Sequence, residues 1–232
     1  MSVGEEKANC MNPAAALSTA TLGLRAEPKR FDYLAVDGGL ERIIRGFPRG
    51  AISEIAGPDS SGRTAVAHSV LAAATAQLEI CAYVDASSAF DPCSAASAGV
   101  ALDQLVWARC GGNAENAMKV ADNLLHAGGF GVIVLDLCDV PQRVARRIPL
   151  SYWYRFRLAI ENTPSILLLV DREPLAKSCA ALALDLKRNK IFWTGAPGCK
   201  LLRGVEVQAA RRKPVTSQAG VCSLRLDWRQ HA

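Results

Sequence analysis

Residues 55–64 read "IAGPDSSGRT". A short apolar run, "AISEIAG" at 51–57, leads into them, and an alanine-rich run, "RTAVAHSVLAAATAQL" at 63–78, leads away. A strand, a glycine-bounded turn and then a helix is the setting in which backbone N–H groups surround a phosphate. Gly57 and Gly62 permit the tight path, and Ser60, Ser61, Arg63 and Thr64 complete the candidate phosphate-binding set. One residue is out of keeping. Where a phosphate loop carries lysine, a slim point charge, Arg63 brings the same charge on a wider planar fork, and the two are not interchangeable in a closed loop.

Outward from this loop the chain alternates in a regular way. The helix at 63–78 sets Val66, Val70 and Leu71 on one stripe. "EICAYVDA" (79–86), "QLVWARC" (104–110), "FGVIVLDL" (130–137) and "SILLLVD" (165–171) read as buried strands. Between them lie "NAENAMKVADNLLHAG" (113–128), a helix with Asn113 as N-cap and Glu115 in its first turn, and "SYWYRFRLAIEN" (151–162), another helix. Continuous apolar strands alternating with helices predict a mostly parallel central sheet covered on both faces. Beyond 180 the period becomes two in "AALALDLKRNKIFWTG", "RGVEVQAARRKP" and "GVCSLRLDW", an antiparallel C-terminal extension. The expected architecture is one α/β core over 31–232, preceded by a flexible N-terminal tail at 1–30 that is small, polar and weakly periodic.

Bulk properties narrow the class. A chain of 232 residues, 50% hydrophobic and 21% charged, suits a single globular core. A net charge of +5 permits contact with nucleic acid without requiring it. No stretch approaches the about 18 apolar residues of a membrane span, and "MSVGEEKANC" lacks the basic-then-apolar order of a secretory signal, so a cytoplasmic protein is expected. The eight cysteines never approach CxxC spacing and read as reduced thiols, not as disulfides or a zinc site. His68, His126 and His231 are isolated and read as helix-surface or tail residues, not metal ligands.

Four stretches then fall in a telling order: "FPRGAISEIAGPDSSGRT", "CAYVDASSAFDP", "FGVIVLDL" and "SILLLVDRE". From about residue 40 to 232 the chain resembles the ATPase core of bacterial RecA. The resemblance implies a RecA-like P-loop fold and a site for ATP with Mg²⁺, in which Thr64 meets the metal and Asp136 holds its water shell. Read on its own, Asp136 is also a strand-end carboxylate that caps a turn.

The departures from that family are as telling. The glutamate that prepares the attacking water would stand two residues after Asp85, where this chain has Ser87, and a neutral hydroxyl is no general base at neutral pH. Neither Asp85 nor Asp91 replaces it. The adenine-stacking tyrosine falls at Ser94, and the glutamine that senses the γ-phosphate falls at Arg172. If one such loss costs roughly 10²- to 10³-fold in rate, several together leave no useful turnover. No catalytic residue is therefore assigned and no cofactor is required, ATP with Mg²⁺ being the most the loop would hold.

Two further features concern partners. The segment "CDVPQRVARRIPLSY" (138–152) stands where RecA has its first DNA-binding loop, and its Arg143, Arg146 and Arg147 either meet phosphates or form a solvated basic turn. The second loop has shrunk to "REPLAKSCA" (172–180). In "SYWYRFR" (151–157), Tyr152, Trp153, Tyr154 and Phe156 cannot all face inward on one helix. Two in the core and two half-exposed is one arrangement; a partner-binding patch that includes Trp153 and Arg155 is the other. In size, truncated core and eroded motifs the chain resembles the small RecA-like bacterial proteins of the ImuA type. That resemblance implies an accessory role in the SOS response to DNA damage, supporting error-prone translesion synthesis beside polymerase-related protein partners. DNA contact would be weak, a membrane plays no part, and self-association stays open. The alternatives are an ATP-binding recombinase or mediator with DNA-dependent ATPase activity, and a regulatory module that binds nucleotide without hydrolysing it.

Overall fold

The computed structural model describes residues 32–36, 39–196, 198–215 and 220–227. The tail expected at 1–30, with Cys10, and His231 lie outside these residues. In chain order the elements are β1 (Tyr33–Leu34), β2 (Phe47–Pro48), β3 (Ala51–Ala56), α1 (Arg63–Thr75), β4 (Cys81–Asp85), α2 (Pro92–Ser97), β5 (Leu105–Arg109), α3 (Ala114–Ala127), β6 (Val132–Asp136), α4 (Gln142–Ala145), α5 (Leu150–Ile160), β7 (Ile166–Asp171), β8 (Ala180–Thr194), β9 (Leu201–Lys213) and β10 (Val221–Asp227).

Strands β3 to β10 form one eight-stranded sheet in the order β10-β9-β8-β3-β7-β6-β4-β5. Every pair from β8 through β3, β7, β6 and β4 to β5 is parallel, while β8–β9 and β9–β10 are antiparallel. The fold is the α/β arrangement expected, antiparallel extension included. Alternate strand residues point to opposite faces. Tyr83, Val134, Leu168 and Ile55 join Val66, Val70, Leu71 and Ala74 of α1 in one buried cluster. Val84, Leu135, Leu169 and Ile52 join Ala117, Met118 and Ala121 of α3 with Trp153, Phe156 and Ile160 of α5 in the other.

Local signals place the helix ends. Asn113 caps α3, its side-chain oxygen accepting from Asn116 N at 3.1 Å. Helix α1 stops at Thr75, three residues short of the expected Leu78, because Leu78 turns to a positive φ of 62° and the chain swings back toward the sheet. His68 corrects the reading above: it is not on a helix surface but buried, with Phe90 packed edge-on at 5.8 Å. The loop after β4 lies over α1 and supplies that cover.

The buried Glu54, in the middle of β3, sets the chain after β7. Its Oε1 accepts from Leu175 N at 2.6 Å and Ala176 N at 2.7 Å, and its Oε2 accepts from Arg212 Nη2 of β9 at 2.7 Å. A buried charge is tolerated when it is paired and hydrogen-bonded in this way. All seven described cysteines are free thiols. Among the described residues no helix is long and apolar enough to cross a membrane, and no group of His, Cys, Asp or Glu is placed to hold a metal.

Candidate phosphate-binding site

The loop between β3 and α1 takes its path from its glycines. A Cβ on Gly57 would sit 2.3 Å from the Leu186 carbonyl oxygen and 2.7 Å from Ser61 Oγ, so no larger residue fits. Gly62 has φ 89° immediately before α1, a left-handed conformation that glycine adopts without strain. Gly57 N donates to the Asp171 carbonyl oxygen at 3.3 Å, which ties the loop to the end of β7. Ser60 and Thr64 are exposed, and Ser60 also has a positive φ, 59°. Ser61 is 1% exposed and its Oγ has no partner. Arg63 is 7% exposed; its Nη2 donates to Asp59 Oδ1 at 3.3 Å and its buried Nη1 has no partner.

The end of β7 faces this loop. Asp171 is fully buried, and its Oδ1 accepts from Gln142 Nε2 at 3.0 Å and from Arg172 N at 2.5 Å. Its Oδ2 is buried without a partner, as is Gln142 Oε1. Burial pushes the Asp171 carboxyl up to about 6, against the opposing pull of the Arg172 and Gln142 hydrogen bonds and the Arg63 charge. Arg172 reaches in two directions, with Nε 3.0 Å from Asp59 Oδ1 and Nη2 3.6 Å from Asp139 Oδ1. Two guanidinium groups, from α1 and from the end of β7, therefore converge on one carboxylate of the loop.

The ends of β4 and β6 present the opposite picture. In parallel register Tyr83 lies beside Val134 and Asp85 beside Asp136, so these side chains share one face of the sheet. Strand side chains lean along the strand. The Tyr83 hydroxyl reaches Asp136 Oδ2 at 2.5 Å, while Cys138 N donates to Asp136 Oδ1 at 2.9 Å. Burial first, and then the charge of Asp136, push the Tyr83 hydroxyl well above its ordinary value, so it remains a donor. Asp85 accepts from Ser87 N at 3.2 Å, Ala89 N at 3.1 Å, Phe90 N at 3.0 Å and the Trp107 indole N–H at 3.1 Å. Asp91 caps α2, accepting from Cys93 N at 3.3 Å, Ser94 N at 3.0 Å and the Ser94 hydroxyl. Both carboxylates that flank Ser87 are thus committed to shaping their own loop.

Within the loop itself the unpartnered buried atoms are the donors Ser61 Oγ and Arg63 Nη1, which suits an anion because buried polar groups are almost always partnered; the unpartnered acceptors, Asp171 Oδ2 and Gln142 Oε1, lie beyond it. The residues fit a phosphate. They do not fit hydrated magnesium in the same way, because of the two groups expected to serve it only the exposed Thr64 is uncommitted, Asp136 being engaged at both oxygens.

The residues expected to meet DNA or a partner separate into three groups. Trp153 is 1% exposed, and this corrects its assignment as a contact: with Phe156 and Ile160 it forms the face of α5 that packs on the sheet. Arg155 and Arg146 are engaged within the molecule. Arg155 Nε is 3.0 Å from Asp122 Oδ1 of α3 with its guanidinium 4.7 Å from the Tyr152 ring, and Arg146 makes a double hydrogen bond to Glu173. Arg143 and Arg147 are exposed.

Asp59, Tyr83, Gln142 and Asp171 are the site residues that sequence reasoning missed. Tyr83 could have been found, since a phenol two residues before Asp85 on a buried strand must send its hydroxyl toward some acceptor.

Comparison with known proteins fits this geometry. Residues 32–144 match the RecA N-terminal domain family. The chain is 45% identical over 93 residues to Protein RecA of Rhodospirillum rubrum, covering 40% of this chain and 25% of that protein. It is 37% identical over 122 residues to Protein RecA of Acidiphilium cryptum, covering 51% of this chain and 35% of that protein. The match to these curated relatives thus spans between a quarter and about a third of their length. In fold it is similar to the crystal structure of the RadB recombinase, with TM-score 0.56 and 15% identity, covering 77% of this chain and 88% of that one. Phosphate loop, strand order and sequence match together give this protein a RecA-like core.

Proposed function

We propose that this protein is a non-catalytic RecA-like accessory factor of the bacterial DNA damage response, supporting error-prone translesion synthesis through protein partners. One observation carries the non-catalytic part. Ser87 stands where the water-preparing glutamate belongs, and the two neighbouring carboxylates, Asp85 and Asp91, already accept seven hydrogen bonds from their own loop and from Trp107. Asp85 has its acceptor sites filled, and Asp91 is committed to capping α2, which leaves no dedicated base beside Ser87. The accessory role is supported by the altered motif positions Ser87, Ser94 and Arg172, in which the chain resembles ImuA-type proteins, and it needs no cofactor. A protein partner is supported by the outward stripe of α5, where Leu150, Tyr154 and Leu158 at successive i+4 positions are 44%, 48% and 71% exposed beside the exposed Arg157.

Phosphate release from ATP with Mg²⁺, measured with and without single-stranded DNA, tests the reading. Wild type should release none, and Arg63→Lys should not restore it because Ser87 remains. DNA-stimulated release from wild type would replace this reading with that of a recombinase. In cells, damage-induced mutagenesis should survive Arg63→Ala and fall with Leu158→Glu.

A further inference from the structure

The two halves of the site differ in what they still ask for. On the phosphate side, Ser61 Oγ and Arg63 Nη1 of the loop are buried donors without partners, while Asp171 Oδ2 and Gln142 Oε1 are buried acceptors without partners. Two permanently charged guanidinium groups stand there, Arg63 at the head of a 13-residue helix and Arg172 at the end of β7, and both reach Asp59 Oδ1, at 3.3 and 3.0 Å. Asp59 is 68% exposed on its side chain, and an ion pair so open to water is held weakly. A phosphate, with more charge and more acceptor oxygens than a carboxylate, is the stronger partner for two guanidinium forks. On the metal side the opposite holds. Asp136, the carboxylate that would hold the water shell of a cation, accepts the Tyr83 hydroxyl at 2.5 Å and Cys138 N at 2.9 Å. Positive charge at the loop comes from protein side chains, and the carboxylate that would recruit a cation is satisfied by a phenol.

We infer that this loop binds a polyphosphate, free or as part of a nucleotide, on Arg63 and Arg172 without a divalent cation, and that Asp59 is the group the ligand displaces. Arg172 then does the neutralising that magnesium performs in a metal-dependent site. Because Ser94 offers no aromatic face to a base, the polyphosphate is the recognised part. The inference concerns the same loop as the proposed function but does not depend on it, since one is about binding and the other about hydrolysis.

Calorimetric titration of the full chain with ATP and, separately, with inorganic tripolyphosphate, each in excess EDTA and in excess magnesium, tests it. Affinity should agree within about twofold between EDTA and magnesium. Arg172→Gln should weaken binding tenfold or more in EDTA, with magnesium restoring part of the loss, and Asp59→Asn should tighten it several-fold. Equal affinity for the two ligands identifies the phosphates as the recognised part, and a tenfold preference for ATP assigns the site to a nucleotide; both support cation-free binding. Absence of binding in either buffer, or affinity that falls tenfold or more when magnesium is removed, overturns the inference while leaving the non-catalytic reading intact. ATP hydrolysis without loss of binding in EDTA would do the reverse. Circular dichroism of both variants guards against misfolding.

Discussion

Asp85 and Asp171 close two strands of the same sheet, and both are buried, yet they are in opposite states. Asp85 accepts four hydrogen bonds, three from the backbone of the loop it begins and one from Trp107. Asp171 has one oxygen satisfied by Gln142 and Arg172 and the other buried without a partner, in the electric field of Arg63. The first is a structural carboxylate, with both oxygens taken up by donors. The second belongs to an unfinished polar site. The contrast separates the side of this RecA-like core that is closed by its own hydrogen bonds from the side that keeps unsatisfied polar atoms.

The largest expected effect comes from breaking the finished side. Asp85→Ala leaves the buried Phe90 N–H and the part-buried N–H groups of Ser87, Ala89 and the Trp107 indole without their acceptor, and at about 1 kcal/mol or more for each the loss should reach about 4 kcal/mol. Urea denaturation monitored by Trp107 fluorescence should show a midpoint far below that of wild type. A shift smaller than that of Tyr83→Phe would mean that the loop after β4 is held by other contacts.

Finishing the unfinished side should do the opposite. The Asp171 carboxyl rises from an ordinary 3.8 to about 6 in the folded state. The native state therefore binds this proton more tightly than the unfolded chain does. The linkage gives a contribution that is favourable at low pH and is lost as pH rises from about 4 through 6, amounting to about 3 kcal/mol at neutral pH. Asp171→Asn keeps an acceptor for Gln142 and Arg172 N and removes the charge. It should be more stable than wild type at pH 7 by up to about 3 kcal/mol, with the gap closing below about pH 4. His68 has the opposite tendency: burial lowers its value, so the folded state loses stability as pH falls below about 6.5. Since His68 is common to both proteins, the difference between variant and wild type isolates Asp171. Equal stability at all pH values would show that Arg63 already neutralises this carboxylate.

A smaller effect is expected from Tyr83→Phe. It removes a hydrogen bond to a charged acceptor, worth about 2 kcal/mol. It also frees Asp136 Oδ2, so magnesium should raise the variant's melting temperature while leaving that of wild type unchanged. Magnesium stabilisation of both proteins alike would mean that the phenol does not stand in for the cation.

How much of this could be read in advance follows from the kind of signal each feature leaves. The sheet and its helices were legible because the core strands, Cys81–Asp85 and Val132–Asp136 among them, are continuous apolar runs, and period carries over directly into burial. The loop was legible because Gly57 and Gly62 are demanded by steric fit and by a left-handed backbone. What could not be read was which polar groups would meet. The Arg172–Asp59 and Tyr83–Asp136 pairs join residues 113 and 53 positions apart, and composition says nothing of their register. For the same reason Trp153 looked available to a partner: the stretch 151–157 is aromatic on all sides, and only the packing of α5 on the sheet decides that Trp153 and Phe156 go inward while Tyr154 stays out.

The smallest expected effect tests the basic segment around α4, where sequence placed three arginines together and the structure divides them. Arg146 is held by Glu173 through Nε at 2.9 Å and Nη2 at 2.7 Å, but the two side chains are 63% and 44% exposed. An ion pair in water contributes little to stability, so Arg146→Ala should melt as wild type does, in low salt and in high. Its consequence for DNA is more informative. A phosphate contact made by a free arginine changes the slope of log affinity against log salt by about 1. Arg146 is already paired, so its removal should leave that slope as it was, whereas Arg143→Ala or Arg147→Ala should flatten it if this segment meets a nucleic-acid backbone. If Arg146→Ala flattens the slope and the other two do not, then Glu173 releases its partner on binding, and the division drawn between engaged and available arginines is reversed at this point of the surface.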